Sequence, residues 1–238
     1  MWKYTLLLVC IYIVKSEGFG FATSDDWHLV FRVSAGAGRS AYDLWTKSDT
    51  TQWPNYVNFF NETRSHYYYK HPDVERWGQL RVKRIRFAFY NLGKPVMNLI
   101  FTGLGSTKNN WFEGRRLLYS DRWLESLAPK MFDQKTTGFV SGRSFAMRDD
   151  HFHRERHFTI NHSSAYNKRL QCGHLGWMLV LDHVSEKDRS CKFGADHHRP
   201  RFLYSSKSYP VPLNAPDSNE QANYELSEAS EMAIFLDY

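Results

Sequence analysis

The chain has 238 residues, of which 42% are hydrophobic, 24% charged and 16% aromatic, which describes a globular protein of one large or two small domains and excludes a disordered tail protein. A mean hydropathy of -0.57, without a long apolar run, argues against a membrane bundle, so we expect no membrane span. The formal net charge is +6, yet the sequence carries no recognition motif for nucleic acid, and we expect no nucleic-acid partner.

Residues 1–16 have the pattern of a secretory signal peptide. Lys3 precedes an apolar run over residues 4–14, and Lys15 ends that run. The run is about half as long as the ~20 residues that a membrane-spanning helix needs. We therefore expect cleavage after Ser16 and a secreted, extracellular protein that comprises residues 17–238.

Apolar residues alternate with period two along most of the remaining chain, together with many aromatic and β-branched side chains. This pattern, without βαβ alternation, predicts an all-β fold: a single-domain sandwich or open barrel with one or two short helices. In chain order, the predicted strands are residues 27–33, 82–90, 95–103, 139–147, 157–161, 176–182, 201–205 and 232–237.

Turn residues separate several of these strands. Gly36, Ala37 and Gly38 are typical of a turn or bulge after the first strand and do not continue into a dinucleotide-binding motif. The tetrapeptide Asn-Leu-Gly-Lys at 91–94 joins two predicted strands into a hairpin. The apolar alternation slips near Arg84, which predicts a β-bulge at that position.

Helix is sparse in the sequence. Ser120 is the expected N-cap of a helix over residues 122–132. Near the end of the chain, residues 232–236 form an apolar run that we expect to pair with an early strand and so to close the domain.

The Tyr67, Tyr68 and Tyr69 triplet is a candidate glycan-binding platform. Tyrosine rings flanked by cations suit sugars or anionic glycans, so a carbohydrate-binding, lectin-like function is one hypothesis. Alternation within a strand would bury one or two of these rings, and ordinary packing is the alternative interpretation.

A histidine-rich segment is the candidate metal site. On a strand, His151, His153, Glu155 and His157 share one face. Three imidazoles and a carboxylate suit a transition metal such as Zn, Cu or non-haem Fe, so a metal-dependent enzyme is a second alternative. The interleaved arginines favour a solvated hairpin tip instead, and no local catalytic motif occurs, so we expect neither a cofactor nor an enzyme.

Two features of the mature chain fit an exported protein. Loss of Cys10 with the leader leaves Cys172 and Cys191, which we expect to form a disulfide in an oxidising compartment, with two buried free thiols as the alternative. Asn61 and Asn161 each begin an acceptor triplet for N-glycosylation.

Charge is distributed unevenly along the chain. Residues 17–216 hold 29 basic and 19 acidic side chains, whereas the acidic segment 217–238 holds six acids and no Lys or Arg. Basic surface outside the cell favours polyanionic partners, here extracellular matrix polymers or polyanionic glycans. A surface of ordinary mixed charge is the alternative.

Several separated segments resemble a recurring domain of poorly characterised secreted invertebrate proteins. The matching residues are 27–32 (WHLVFR), 42–46 (YDLWT), 110–112 (NWF), Cys172, 176–182 (GWMLVLD), Cys191 and 202–205 (FLYS). Such proteins occur in extracellular and mineral-associated matrices. The resemblance implies a signal peptide and paired Cys172 and Cys191, and it brings no activity. We therefore expect a non-enzymatic component of an extracellular matrix, including the organic matrix of a mineralised shell or skeleton.

Overall fold

Strands provide most of the regular structure in the computed structural model, which describes residues 27–48, 67–121, 145–147, 158–161, 175–182, 199–212 and 225–238. The strands are β1 (His28–Ser34), β2 (Tyr68–Lys70), β3 (Arg84–Asn91), β4 (Lys94–Thr102), β5 (Leu117–Ser120), β6 (Phe145–Ala146), β7 (Thr159–Asn161), β8 (Leu175–Leu181), β9 (Arg201–Ser205), β10 (Val211–Pro212), β11 (Leu226–Ala229) and β12 (Glu231–Asp237). The helices are α1 (Ala41–Thr46) and 3-10 helices at Pro72–Val74, Trp77–Gln79 and Gly114–Arg116. The predicted all-β class is confirmed.

Two antiparallel sheets contain these strands. Sheet A has the order β2-β1-β12-β3-β4-β5, and sheet B has the order β11-β9-β8-β7-β6, with β10 pairing β8. The last strand, β12, lies between β1 and β3, so the predicted pairing of residues 232–236 with an early strand is confirmed. Within the described ranges, no helix has both the length and the apolarity to span a membrane.

The inner faces of the two sheets share one hydrophobic core. Phe89 of sheet A contacts Phe202 of sheet B, with ring centroids 5.5 Å apart. Three tryptophans, Trp45, Trp77 and Trp111, extend the core beyond the sheets and are here called the tryptophan cluster. Their rings pack against each other at centroid distances of 5.8–6.5 Å. All of these side chains are buried, so aromatic rings form a large part of the core among the described residues.

The β3–β4 hairpin is confirmed, but the bulge predicted near Arg84 is wrong. From Arg84 to Tyr90, β3 pairs with β12 without a shift in register. The shift occurs instead against β4, between Phe89 and Tyr90 and opposite Pro95. Pro95 has no backbone N–H to donate to the ladder, which accounts for the irregularity there. The slip in the sequence pattern arises because Val82 is buried before the strand begins.

The turn of this hairpin offers a test of local strain. Leu92 and Gly93 both have positive φ, 49° and 72°, as a type I′ turn requires. Leu92 is 94% exposed and gains little from packing in this conformation, which costs a β-carbon-bearing residue about 1 kcal/mol. We expect Leu92→Asn to raise the free energy of unfolding by about 0.5–1 kcal/mol in urea denaturation, because asparagine tolerates left-handed backbone.

Leu104→Asn is the matched control for Leu92→Asn, because Leu104 is also exposed but does not have a positive φ. It should change stability by less than about 0.5 kcal/mol. Equal effects of the two substitutions would show that the turn conformation is not the cause.

Helix α1 was not predicted from the sequence. Ser40 caps it by accepting a hydrogen bond from the Asp43 backbone N–H. Asp182, which follows β8, accepts hydrogen bonds from the Ala41 and Tyr42 backbone N–H groups, each at 2.9 Å. The predicted helix over 122–132 lies outside the described residues, and Ser120 is the last residue of β5.

A buried lysine at the end of β2 contacts a carboxylate and a backbone carbonyl. Lys70 is 1% exposed, and its ammonium group donates to the Lys47 carbonyl at 2.5 Å and lies 2.6 Å from a carboxylate oxygen of Glu75. The other Glu75 oxygen pairs with Lys108 at 2.5 Å. This set of three side chains, here called the Lys70–Glu75–Lys108 cluster, ties the end of β2 to the loop that follows β4.

The cluster predicts acid sensitivity. Burial alone would raise the pKa of Glu75, but hydrogen bonds from Lys108 and Lys70 outweigh burial and hold that pKa below its ordinary value of 4.5. The pKa of nearby Asp73 is also lowered, because hydrogen bonds from Tyr238 and Arg76 outweigh its burial. A lowered folded-state pKa gives stability that is present above the unfolded pKa and is lost as the pH falls through the folded one.

We therefore expect the stability that Glu75 and Asp73 contribute to be present down to about pH 5 and to be lost as the pH falls below about pH 4. Urea denaturation across this range measures the change. Glu75→Gln should lose less stability on acidification than the wild type, and Glu113→Gln, a surface change, should follow the wild type. Parallel pH profiles for the wild type and Glu75→Gln would contradict this assignment.

Candidate functional site

The outer face of sheet A combines arginine and aromatic side chains. In β3, in β12 and in β1 from Phe31 onward, residues alternate between the core and this face, so Phe31, Phe87 and Ile234 point inward and Arg32, Arg86 and Phe235 point outward. The outward set, here called the arginine–aromatic face, comprises Trp27, Arg32, Tyr67, Tyr69, Arg84, Arg86, Tyr90 and Phe235.

Each of the three arginines lies over an aromatic ring of this face. The guanidinium carbon of Arg32 is 4.7 Å from the ring centroid of Tyr67. The corresponding distance is 5.2 Å from Arg84 to Trp27 and also from Arg86 to Phe235. Such contacts contribute roughly 0.5–1 kcal/mol each at exposed sites, and they hold the charged groups in fixed positions across the sheet.

Carboxylates of the acidic segment pair with two of these arginines. Glu231 lies 2.5 Å from Arg32, and Asp237 lies 2.6 Å from Arg84 and 3.7 Å from Lys83. Part of the acidic segment 217–238 therefore lies in sheet A as β12, where arginines pair with two of its carboxylates.

Arg86 has a different partner. Its Nε and Nη2 atoms both donate to the Asn98 side-chain oxygen, at 2.9 and 2.8 Å. Within the described part of the chain no carboxylate pairs with Arg86, so its positive charge is held in place by a neutral amide and a ring. This arrangement leaves a fixed cation near the middle of the face.

Burial varies across the face. At its centre are the small residues Ala88 and Ala233, and around them Tyr90 and Phe235 are buried at 6% and 9% exposure. Burial raises the pKa of Tyr90 above its ordinary value despite the nearby arginines, so its hydroxyl stays protonated at neutral pH. Trp27, Tyr69, Arg84 and Arg86 are half-buried and form the accessible part of the face.

The Tyr67–Tyr69 triplet is divided between the two sides of the edge strand. Tyr67 and Tyr69 belong to the arginine–aromatic face, whereas Tyr68 packs against the shared core. Arg39 lies 5.1 Å from the centroid of the Tyr68 ring and donates to its hydroxyl at 2.9 Å. The three rings therefore do not share one surface, and only Tyr67 and Tyr69 lie on the face described above.

Most of the other sequence-predicted site residues lie outside the described residues. They are Cys172 and Cys191, Asn61, and the metal candidates His151, His153, Glu155 and His157. Asn161 is the last residue of β7 and pairs with Gly176 of β8, while the rest of its triplet is outside the described ranges. Where the chain is described, no three His, Cys, Asp or Glu side chains converge as a metal site.

The sequence contained one signal for the arginine–aromatic face. Residues 81–86 (RVKRIR) hold four basic side chains in six positions, and period-two alternation places Arg84 and Arg86 on one side of a strand. The rings that contact them come from other parts of the chain, at Trp27 and Phe235. Only the strand order of sheet A brings these residues together.

Comparison with known proteins identifies no relative. The chain matches no protein-family model, no curated protein and no solved structure. Because a fold by itself does not determine a function, the functional inference rests on the residues and chemistry of the arginine–aromatic face.

Proposed function

We propose that the chain is a secreted, non-enzymatic component of an extracellular matrix, and that it attaches to matrix polymers through the arginine–aromatic face. The observation that carries the proposal is the set of three arginines, Arg32, Arg84 and Arg86, each fixed over a ring on one side of sheet A. The leader-like residues 1–16 and the basic composition of residues 17–216 support export and a polyanionic partner.

The shape of the face favours an extended partner. Six antiparallel strands at about 4.8 Å spacing make a surface of roughly 24 Å in width. The rings and guanidinium groups lie on or next to four neighbouring strands, β2, β1, β12 and β3, and suit a polymer that makes many weak contacts along its length. Small ligands, by contrast, are usually enclosed in concave sites.

This proposal includes part of the carbohydrate-binding hypothesis. Tyr67 and Tyr69 lie on the arginine–aromatic face and would contact the same polymer, whereas Tyr68 would not. The metal-enzyme hypothesis depends on His151, His153, Glu155 and His157, which lie outside the described residues, and it stays a prediction.

Fractionation of the source tissue tests the proposal. We expect the protein in the insoluble extracellular fraction, with its first residue at position 17, and we expect high salt to release it, because exposed ionic contacts are screened within about 3 Å at 1 M salt. Mass spectrometry of the N-terminal peptide and immunoblotting of each fraction make the measurement. Recovery only from the cytosol, or with residues 1–16 still attached, would overturn the proposal.

A further inference from the structure

We propose that the matrix polymer bound by this face is a linear sulfated polysaccharide, and that its anionic groups bind a basic strip formed by Arg81, Lys83, Arg84 and Arg86. This inference rests on the proposed function and specifies the chemistry of its partner. It also separates these four cations, which are exposed or half-buried, from Arg32, which is buried and paired with Glu231.

The basic strip lies at the start of β3, an interior strand of sheet A. Arg81 and Lys83 are exposed just before the strand, and the Lys83 side chain is 63% exposed. Arg84 and Arg86 follow on the strand itself, about 7 Å apart on the same side. The four cations therefore lie within six consecutive residues at the start of β3, with Arg81 and Lys83 exposed and Arg84 and Arg86 half-buried.

The strip carries an excess of positive charge. Asp237 pairs with both Arg84 and Lys83, at 2.6 and 3.7 Å. Arg86 bonds to the neutral Asn98 side chain, and within the described ranges no hydrogen bond or ion pair involves the Arg81 side chain. One carboxylate is thus shared among four cations, so an anionic polymer is attracted to this end of the sheet.

The chemistry of the strip matches sulfate groups on a sugar chain. Guanidinium groups donate two parallel hydrogen bonds to anionic oxygens. Three of the four cations are arginines, and two of them, Arg84 and Arg86, lie on the same face of β3. The Arg84 guanidinium lies over the Trp27 ring, which holds this cation in place for a sulfate group. Basic runs of five to eight residues are typical of heparin-binding or nucleic-acid-binding patches, and an exported chain encounters the glycans.

Binding of the full-length protein to immobilised heparin, a sulfated polysaccharide, tests the inference. Arg81→Gln combined with Lys83→Gln removes two exposed cations without altering the core, and we expect it to weaken binding about 10-fold at low salt. Lys47→Gln combined with Lys94→Gln removes the same charge from exposed positions outside the strip, and it should weaken binding less than about 2-fold.

Comparison of polymers completes the test. Binding should be strong to heparin, weaker to hyaluronan, whose anionic groups are carboxylates, and absent for neutral dextran. Equal affinity of the strip variant and its charge-matched control, or equal binding to heparin and dextran, would overturn the inference. A protein that fails to bind heparin but still fractionates with the insoluble matrix would contradict the sulfated partner and leave the proposed function standing.

Discussion

Replacement of Trp45 with alanine should lower the free energy of unfolding by about 3–5 kcal/mol. Trp45 is fully buried and its ring contacts Phe31, Trp77 and Trp111. Its indole N–H also donates to the Lys108 carbonyl at 2.8 Å. Truncation would leave a cavity at the junction of the tryptophan cluster and sheet A, which neighbouring rigid rings cannot fill.

Two further variants isolate the cause. Trp45→Phe keeps most of the ring volume and loses the hydrogen bond, so we expect a cost of about 1–2 kcal/mol. Trp27→Ala removes a half-buried tryptophan from the arginine–aromatic face and should cost less than about 1.5 kcal/mol. Urea denaturation of all three variants makes the comparison. A cost for Trp45→Ala no larger than that for Trp27→Ala would show that the cluster is not part of the stabilising core.

Glu75→Gln should lower the free energy of unfolding by about 3 kcal/mol. We expect this loss to be larger than the loss caused by replacing its buried partner, Lys70. The substitution leaves the ammonium group of Lys70, which is 1% exposed, without the carboxylate it contacts. Lys70→Met instead removes the buried charge and leaves Glu75 paired with the more accessible Lys108. We expect Lys70→Met to cost less than about 1.5 kcal/mol, mainly through the lost hydrogen bond to the Lys47 carbonyl.

A double variant tests whether the buried charge of Lys70 causes the larger loss of stability in Glu75→Gln. Combining Lys70→Met with Glu75→Gln removes the buried charge together with its partner, so the double variant should be more stable than Glu75→Gln alone. A double-mutant cycle by urea denaturation at pH 7 gives the coupling energy. Additive losses, or a larger loss for Lys70→Met than for Glu75→Gln, would show that the buried charge does not govern the stability of the cluster.

The sequence predicted the strands better than their arrangement. The run at 232–237 combines buried aliphatic residues with a period-two pattern, so β12 was recognised directly. Pairing with an early strand was predicted, but its position between β1 and β3 depends on contacts with residues about 140–210 positions away, which local patterns do not encode. A bulge was wrongly predicted near Arg84 because Val82 fits the apolar pattern of β3 but lies before the strand begins.

The sequence did not predict helix α1, because the helix is short and a residue distant in the chain stabilises it. It has only six residues, too few for a clear helical period. Its N-terminus is stabilised by Asp182, which is 140 and 141 positions away from the backbone groups it binds. The local sign was the capping serine Ser40 three residues before Asp43, a spacing typical of a helix start.

The candidate site was only partly accessible from sequence. The tyrosine triplet was recognised by composition, and alternation along an edge strand then divided it between two sides of the sheet. The cations of 81–86 were visible as residues, but their rings, Trp27 and Phe235, were identified only through the order of strands in sheet A. A surface whose residues come from separate strands is a property of the tertiary fold.

Retention of the purified full-length protein on isolated insoluble extracellular matrix tests most directly whether the arginine–aromatic face attaches it there. At physiological salt the wild type and Lys47→Gln/Lys94→Gln should stay bound, and about 1 M salt should release both, since the Debye length is then about 3 Å. Arg84→Gln/Arg86→Gln, checked for folding by urea denaturation, should wash out at physiological salt. Equal retention of all three proteins, or loss of all three in the first wash, would contradict attachment through this face.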